Sequence, residues 1–378
     1  MKGRAVQQKL ILVVFGTRPE AIKLFPVIHA LKQQPGVRLA ICATGQHGNL
    51  ASDVLALAGI EPDWDLGVLQ PGQSLDDLLV RLVPALGNVL DRLHPDLVVV
   101  HGDTLSAFAG AVAAHFRGIA VAHIEAGLRS GDVRQPAPEE AIRKMIAAVA
   151  AYHFAPTQAA VAALQAENVP AHMIHLTGNT GIDALLAMRA RLQEDPAPIA
   201  ALDAMLAPYA HLRLIGVTLH RRENQGAALD EIAKALAQVA QRGDVALIYP
   251  LHPNPHIRGV MRRHLAHLPN VALLDPLNYL HFVALLDRVS FVLTDSGGVQ
   301  EEAPALGKPV LVMRATTERS EAVAAGTARL VGTQAAVIVD AVDALLADPA
   351  TYAQMAQAHN PYGDGRAAPR IAQILAHG

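Results

Sequence analysis

Short unbroken apolar runs alternate along the chain with stretches whose apolar positions recur at helical spacing, from Leu10 to Leu346. The runs at Leu10 to Phe15, Val37 to Thr44, Leu97 to Val100, Ile119 to Ile124 and the one ending at Leu176 read as strands. So do Leu212 to Leu219, Val245 to Tyr249, Val271 to Leu274, Val289 to Leu293 and Pro309 to Val312, and a further strand-helix pair after Arg319 runs to Leu346. Helical patterns follow them: from Pro19 through about Lys32, one ending near Arg92, one opened by Pro136-Ala137-Pro138, one after Gly181, one over Asp275 to Leu286, and a last one from Arg366. This is the signature of an α/β chain with parallel sheets. A chain of 378 residues exceeds one ordinary core, so two α/β domains are expected, at 1–175 and 176–362. A C-terminal helix at 363–378 is expected to pack back on the first. The hinge is placed between Thr157 and Asn179, and Asp195-Pro196-Ala197-Pro198 reads as surface linker.

Parallel sheets bind ligands at the carboxyl ends of their strands, and the residues there carry chemistry. The run at Val289 stops at Thr294-Asp295-Ser296-Gly297-Gly298 before a helix. Two glycines let a ligand approach the backbone, and a helix N-terminus favours an anion. Ser296 can cap that helix or donate to a phosphate, and Glu301 and Glu302, placed in the first turn, can reach ribose hydroxyls. Arg18 is placed at the cap of the first helix, with Pro19 at its first position and Lys23 a turn later, two cations suited to a diphosphate. A plain reading makes Glu20 and Lys23 an i,i+3 pair. Asp103 and Glu125 end neighbouring strands, and Glu139 opens a helix beside Glu140. Three such acids suggest acid–base work, since like charges in a crevice push a pKa upward. Arg129 and Arg143 can equally pair with them as a salt-bridge network. His220, with Arg221 and Arg222, calls for an anion, with His220 as proton donor or phosphate ligand.

Composition narrows the classes. Net charge is −3 without a long basic run, which argues against nucleic acid. Cys42 is the only cysteine, sits in an apolar run and reads as core, so cysteine-based metal sites and disulfides are excluded and a cytoplasmic location fits. Prolines separate His252 from His256, so they form no helical metal pair. No apolar segment spans a membrane, and no signal h-region follows Met1.

The blocks GTRPEAIK (16–23), HGDT (101–104), HIEAGLRSGD (123–132), PEEAIR (138–143), GNTGIDAL (178–185), HRREN (220–224), TDSGGVQEEAPALGKPVLVMRATTERSEAV (294–323) and NPYGDG (360–365) stand in register. Together they resemble the non-hydrolysing UDP-N-acetylglucosamine 2-epimerases over about residues 9 to 375. The resemblance implies a GT-B-like pair of Rossmann domains facing across a cleft, usually a homodimer. It implies interconversion of UDP-GlcNAc and UDP-ManNAc for surface polysaccharide precursors, through loss and re-addition of UDP via 2-acetamidoglucal, without metal or redox cofactor. By match, Arg18, Lys23, His220, Ser296, Gly297, Gly298 and Arg319 would hold UDP, with Glu302 on ribose and Phe282 near uracil. Asp103, Glu125 and Glu139 would move protons, with His220 assisting phosphate departure. Gln46, His47, Gln73, Arg221 and His252 match a region that binds a second UDP-GlcNAc as activator. Gly48-Asn49 departs from the usual residues there. Ala137 stands where an aromatic residue is common, Ile142 where Asn is usual, and Leu277 where a polar residue is. A 2-epimerase of a modified UDP-HexNAc, such as a diacetamido uronic acid, is the nearest rival reading. A GT-B glycosyltransferase and a UDP-sugar-binding regulator without turnover are the others.

Overall fold

The computed structural model describes residues 8–46, 52–224 and 226–378, with the backbone alone for Ser52 and Arg222. Two compact units emerge: Met1–Ala184 with Tyr362–Gly378, and Leu185–Pro361. The helix Thr180–Glu194 carries the chain across the first division.

In the first unit, strands Lys9–Phe15 (β1), Val37–Ala43 (β2), Trp64–Asp65 (β3), Leu97–His101 (β4), Ala120–Ile124 (β5), Tyr152–Ala155 (β6) and Ile174–Leu176 (β7) form one sheet. Its order is β3-β2-β1-β4-β5-β6-β7, and every pairing is parallel. Ile11 to Phe15 have no exposed surface, which explains the unbroken apolar run: helices cover both faces, so no position alternates to solvent. Each such Val or Leu contributes about 1.5–3 kcal/mol by leaving water. Strand order reverses between β1 and β4. Val13 pairs with Val99, so Phe15 and His101 end level and the loops after them lie side by side.

In the second unit, Arg213–Thr218 (β8), Val245–Pro250 (β9), Val271–Leu274 (β10), Phe291–Thr294 (β11), Val310–Val312 (β12) and Ala328–Leu330 (β13) form a sheet of order β10-β9-β8-β11-β12-β13, again parallel throughout. The reversal here falls between β8 and β11, with Thr218 opposite Thr294. A crevice at the reversal is where such sheets take ligands, so each unit has one such position.

Two strands escaped the sequence pattern. β3 has two residues, and β6 contains His153, a polar interruption that the sheet buries; burial lowers its imidazole to about 4 and keeps it neutral. The stretch expected as surface linker is structured. A turn at Ala197–Ile199 runs into the helix Ala200–Leu206, because Ile199 and Leu202 are buried. Cys42 is core, its thiol pushed up to about 12 by burial, then by the charge of Asp65. Among the described residues, no helix is long and apolar enough to cross a membrane.

Candidate functional site

The first unit's site begins at the turn after β1. A side chain on Gly16 would collide with the Thr44 and Ser106 hydroxyls, so glycine is required for close approach. Thr17, not Arg18, caps the helix Arg18–Lys32, which makes Arg18 the first helical residue; the hydroxyl of Thr17 accepts from the Glu20 N–H in a capping box. Glu20 therefore does not pair with Lys23. Its carboxylate accepts the N–H of Gly16 (3.0 Å) and of Thr17 (2.8 Å), and the Thr104 hydroxyl at 2.7 Å. Burial pushes Glu20 up to about 7 despite these donors.

Lys23 instead forms an ion pair with Glu125 Oε2, which also accepts from Asn179 Nδ2 at 3.0 Å. Glu125 sits in the left-handed region at φ 62°, an uncommon place for a residue with a Cβ. His101 Nε2 lies 3.8 Å from the same carboxylate, and burial lowers His101 to about 4, so it is neutral. Asp103 is clasped by Arg143, with Nε at 2.8 Å and Nη2 at 2.5 Å, while Arg143 Nη1 reaches the fully buried Glu140 at 3.0 Å. Burial opposes the Arg143 charge, but Asp103 and Glu140 outweigh it and hold its pKa above the ordinary value. Arg129 takes no part, being paired with Glu167. The expected salt-bridge network thus forms for Arg143 alone.

Glu139 differs from both neighbours. It opens the helix Glu139–Val149, where the dipole favours a negative charge, yet its Oε2 is buried without a hydrogen-bond partner among the described residues. Asp103, Glu125, Glu139 and Glu20 line one cavity of about 370 Å³, together with Lys23, Gln46 and Ile142.

The second unit's site is built around Asp295, which is buried just after β11. Its carboxylate accepts the N–H groups of His220 (3.0 Å) and Arg221 (2.9 Å), the Asn224 amide (3.0 Å) and the His220 ring at 3.2 Å through Nδ1. Burial would raise Asp295, but the His220 ring and these donors lower it below the usual carboxylate range. The HRREN turn is thus hung on one buried acid, which fixes His220 with its Nε2 side directed away from Asp295. Sequence reading passed Asp295 over as part of a turn; its signal was the row of donors in HRREN with no acid of their own.

Gly297 opens the helix Gly297–Ala305, and Ser296 occupies the cap position without making a capping bond. Glu301 and Glu302 fall in its second turn rather than its first, since the helix starts at Gly297. Arg319 reaches Glu301 at 2.5 Å. Arg221 Nη2 (3.2 Å) and Arg314 Nη1 (2.8 Å) both reach Glu318, which these arginines and Arg319 hold at about 2 against the opposing effect of burial. A Cβ on Gly297 would lie 3.1 Å from Glu318 and 3.3 Å from Arg221, whereas one on Gly298 would meet only the Ser296 hydroxyl, at 4.0 Å. Glu302, expected on ribose, lies where its charge helps push the buried Tyr279 hydroxyl up, after burial itself. Phe282 is half-buried on the helix Tyr279–Arg288.

The residues expected at an activator site are divided between the units, Gln46 and Gln73 in the first and Arg221 and His252 in the second. Gln46 lines the acid cavity and accepts from the Ser106 N–H (3.0 Å) and hydroxyl (2.7 Å). Gln73 bonds Arg81 and the Gln70 N–H. His252 stacks near His220, ring centroids 6.2 Å apart. His47 and Gly48-Asn49 lie outside the described residues.

The sequence model of the UDP-N-acetylglucosamine 2-epimerase family matches residues 29–376. The chain belongs to the UDP-N-acetylglucosamine 2-epimerase family. Among its relatives, the UDP-N-acetylglucosamine 2-epimerase of Escherichia coli (strain K12) is 48% identical over 369 residues, covering 97% of this chain and 98% of that protein. The crystal structure of the Neisseria meningitidis UDP-GlcNAc 2-epimerase bound to UDP-GlcNAc matches with a TM-score of 0.91 at 40% identity, covering 98% of this chain and 100% of that one. The Methanocaldococcus jannaschii UDP-GlcNAc 2-epimerase in complex with UDP-GlcNAc and UDP has a TM-score of 0.81 at 31% identity, with 98% and 99% coverage. The two parallel-sheet domains are therefore those of the epimerase family, whose solved members share this chain's fold from end to end.

Proposed function

We propose that this chain interconverts UDP-GlcNAc and UDP-ManNAc. One observation carries the reading beyond family membership: a single cavity presents Asp103, Glu125 and Glu139 in three different electrostatic settings. Inverting C2 requires removing a proton from a carbon with no adjacent carbonyl, so simple deprotonation fails. Elimination solves this. The C1–O bond to the β-phosphate and the C2–H bond break, a C1=C2 bond forms, UDP leaves as an anion, and an enzyme carboxylate takes the proton. Return of a proton to the other face of C2, with re-addition of UDP at C1, completes the inversion. Glu139, with its bare buried oxygen, suits a proton carrier that needs no partner displaced. Glu125 and Asp103, each facing a cation, suit ionised roles beside the reacting carbons.

UDP falls to the groups gathered around Asp295. The N–H groups of Gly297 and Gly298 at a helix N-terminus and the Ser296 hydroxyl suit phosphate, and His220 is oriented to assist its departure. Arg319 supplies positive charge for the diphosphate, with Phe282 and Glu302 on the nucleoside. The family likeness supports a homodimer in the cytoplasm, with sedimentation as the check on the oligomer and cell fractionation as the check on the location.

The direct test is NMR of UDP-GlcNAc incubated with the protein. Appearance of UDP-ManNAc supports the proposal, and unchanged UDP-GlcNAc sinks it. One feature favours the rival reading of a modified UDP-HexNAc: Ile142, buried and apolar, lines the acid cavity where a polar side chain is usual. Faster turnover of a UDP-diacetamido sugar than of UDP-GlcNAc would select that reading.

A further inference from the structure

The chain leaves the first unit within the helix Thr180–Glu194 and returns at Tyr362. Just inside that unit the outgoing and returning segments are fastened to each other. The Asn179 N–H donates to the Tyr362 carbonyl at 2.7 Å, and a Cβ on Gly178 would lie 3.4 Å from the Gly363 Cα. The Asp183 carboxylate accepts the N–H groups of Ala367 (3.2 Å) and Ala368 (2.9 Å) at the head of the final helix.

Asn179 is 2% exposed, and its amide faces two ways. Oδ1 accepts the Gly181 N–H at 2.8 Å, and Nδ2 donates to Glu125 Oε2 at 3.0 Å. Holding the Gly181 N–H needs only an acceptor, which Asp, Ser or Thr supplies as well. The donor half of the amide is left unexplained by that task, and Glu125 uses it. Lys23 reaches the same Glu125 oxygen, and a side chain on Gly181 would come within 3.1 Å of Asn179 Oδ1 and 3.4 Å of Lys23 Cε. The left-handed backbone of Glu125 is of the kind that persists only where surroundings over-determine it.

We propose that Asn179 is a positioning residue for Glu125, tying that carboxylate to the paired segments through which the chain leaves and re-enters the first unit. The inference rests on the acid–base role given to Glu125 above. Among the described residues, charged and titratable groups that face Glu125 include Lys23 from the first helix and neutral His101 from β4, with Glu20, Asp103 and Glu139 elsewhere in the cavity wall. Removing the Asn179 donor, or replacing it with a carboxylate, disfavours ionised Glu125 and raises the pH at which it loses its proton.

Two variants separate positioning from capping. Asn179→Asp keeps the shape and the acceptor for Gly181 but turns the donor into a negative charge, and Asn179→Ser keeps a short acceptor and loses the reach to Glu125. Circular dichroism and a melting curve matching the unaltered protein establish that each is folded, and the Ser variant decides the matter if the Asp variant does not fold. The readouts are kcat and KM for UDP-GlcNAc, the pH profile of kcat/KM, and the 13C titration of Glu125 in glutamate-labelled protein, assigned by its disappearance in Glu125→Gln. The expected result is a fall of about tenfold or more in kcat with KM within about twofold. The acid limb and the Glu125 titration move together to higher pH, further in the Asp variant. A Glu125 titration and a pH profile that coincide with those of the unaltered protein would overturn the proposal. Absence of turnover by the unaltered protein would strike the epimerase reading instead, because the titration reports on Glu125 without catalysis.

Discussion

In the first unit the segments after the strands carry carboxylates, two of which face cations; in the second the corresponding segments carry cations that face carboxylates. Asp103 and Glu125 are held by Arg143 and Lys23, whereas Arg221, Arg314 and Arg319 are held by Glu318 and Glu301. Under the proposed function, the same topology serves two chemical tasks. Groups that exchange protons need different environments from one another, and the wall of the first unit's cavity supplies one acid with a bare oxygen, two with cation partners and one raised by burial. Groups that hold a diphosphate need fixed geometry more than varied pKa, and the second unit hangs its binding turn on Asp295.

If that division is right, the largest effects come from the first unit's acids. Asp103→Asn, Glu125→Gln and Glu139→Gln are each expected to lower turnover by roughly 10²- to 10⁴-fold while calorimetry finds UDP affinity little changed. Loss of UDP affinity in step with turnover would erase the distinction between the units.

Glu20 offers the next largest effect, read in stability. Its folded pKa of about 7 exceeds the ordinary 4.5, so the native state binds more protons than the unfolded chain between those values. Stability from this group is present below about pH 4.5 and is lost as pH rises through 7, by about 3 kcal/mol at most. Glu20→Gln removes this loss, so urea unfolding at pH 5 and pH 8 is expected to show the variant gaining on the unaltered protein at the higher pH. A pH-independent difference would contradict the buried, protonatable Glu20.

In the second unit, Asp295→Ala leaves the His220 and Arg221 N–H groups without their acceptor and the Asn224 amide with the Met313 carbonyl alone. UDP affinity is expected to fall about tenfold, from the disordered turn. Unchanged affinity would show that the turn is held by something other than Asp295.

The sheets were legible because strands covered on both faces are apolar without interruption, and the strand-end motifs were legible because ligand sites of such sheets lie there. Long-range pairing was not. Lys23 meets Glu125 from 102 positions away, so the near neighbour Glu20 was the natural partner on paper. The cap shifted from Arg18 to Thr17 because only Thr17 has an oxygen to offer the free N–H groups. Asp295 read as a turn residue because nothing local tells which donors a buried carboxylate will collect. The placement of Glu301 slipped by a turn because the helix begins at Gly297, and its partner Arg319 comes from beyond β12.

The central claim, that C2 loses its proton to the carboxylates of the first unit's cavity, is tested most directly by following C2 of UDP-GlcNAc by NMR in deuterated water. The account predicts solvent deuterium at C2 of both epimers with the unaltered protein, and incorporation slowed by two or more orders of magnitude in Glu139→Gln. Epimers formed with the original C2 hydrogen retained, or incorporation at full rate in all three acid variants, would contradict it.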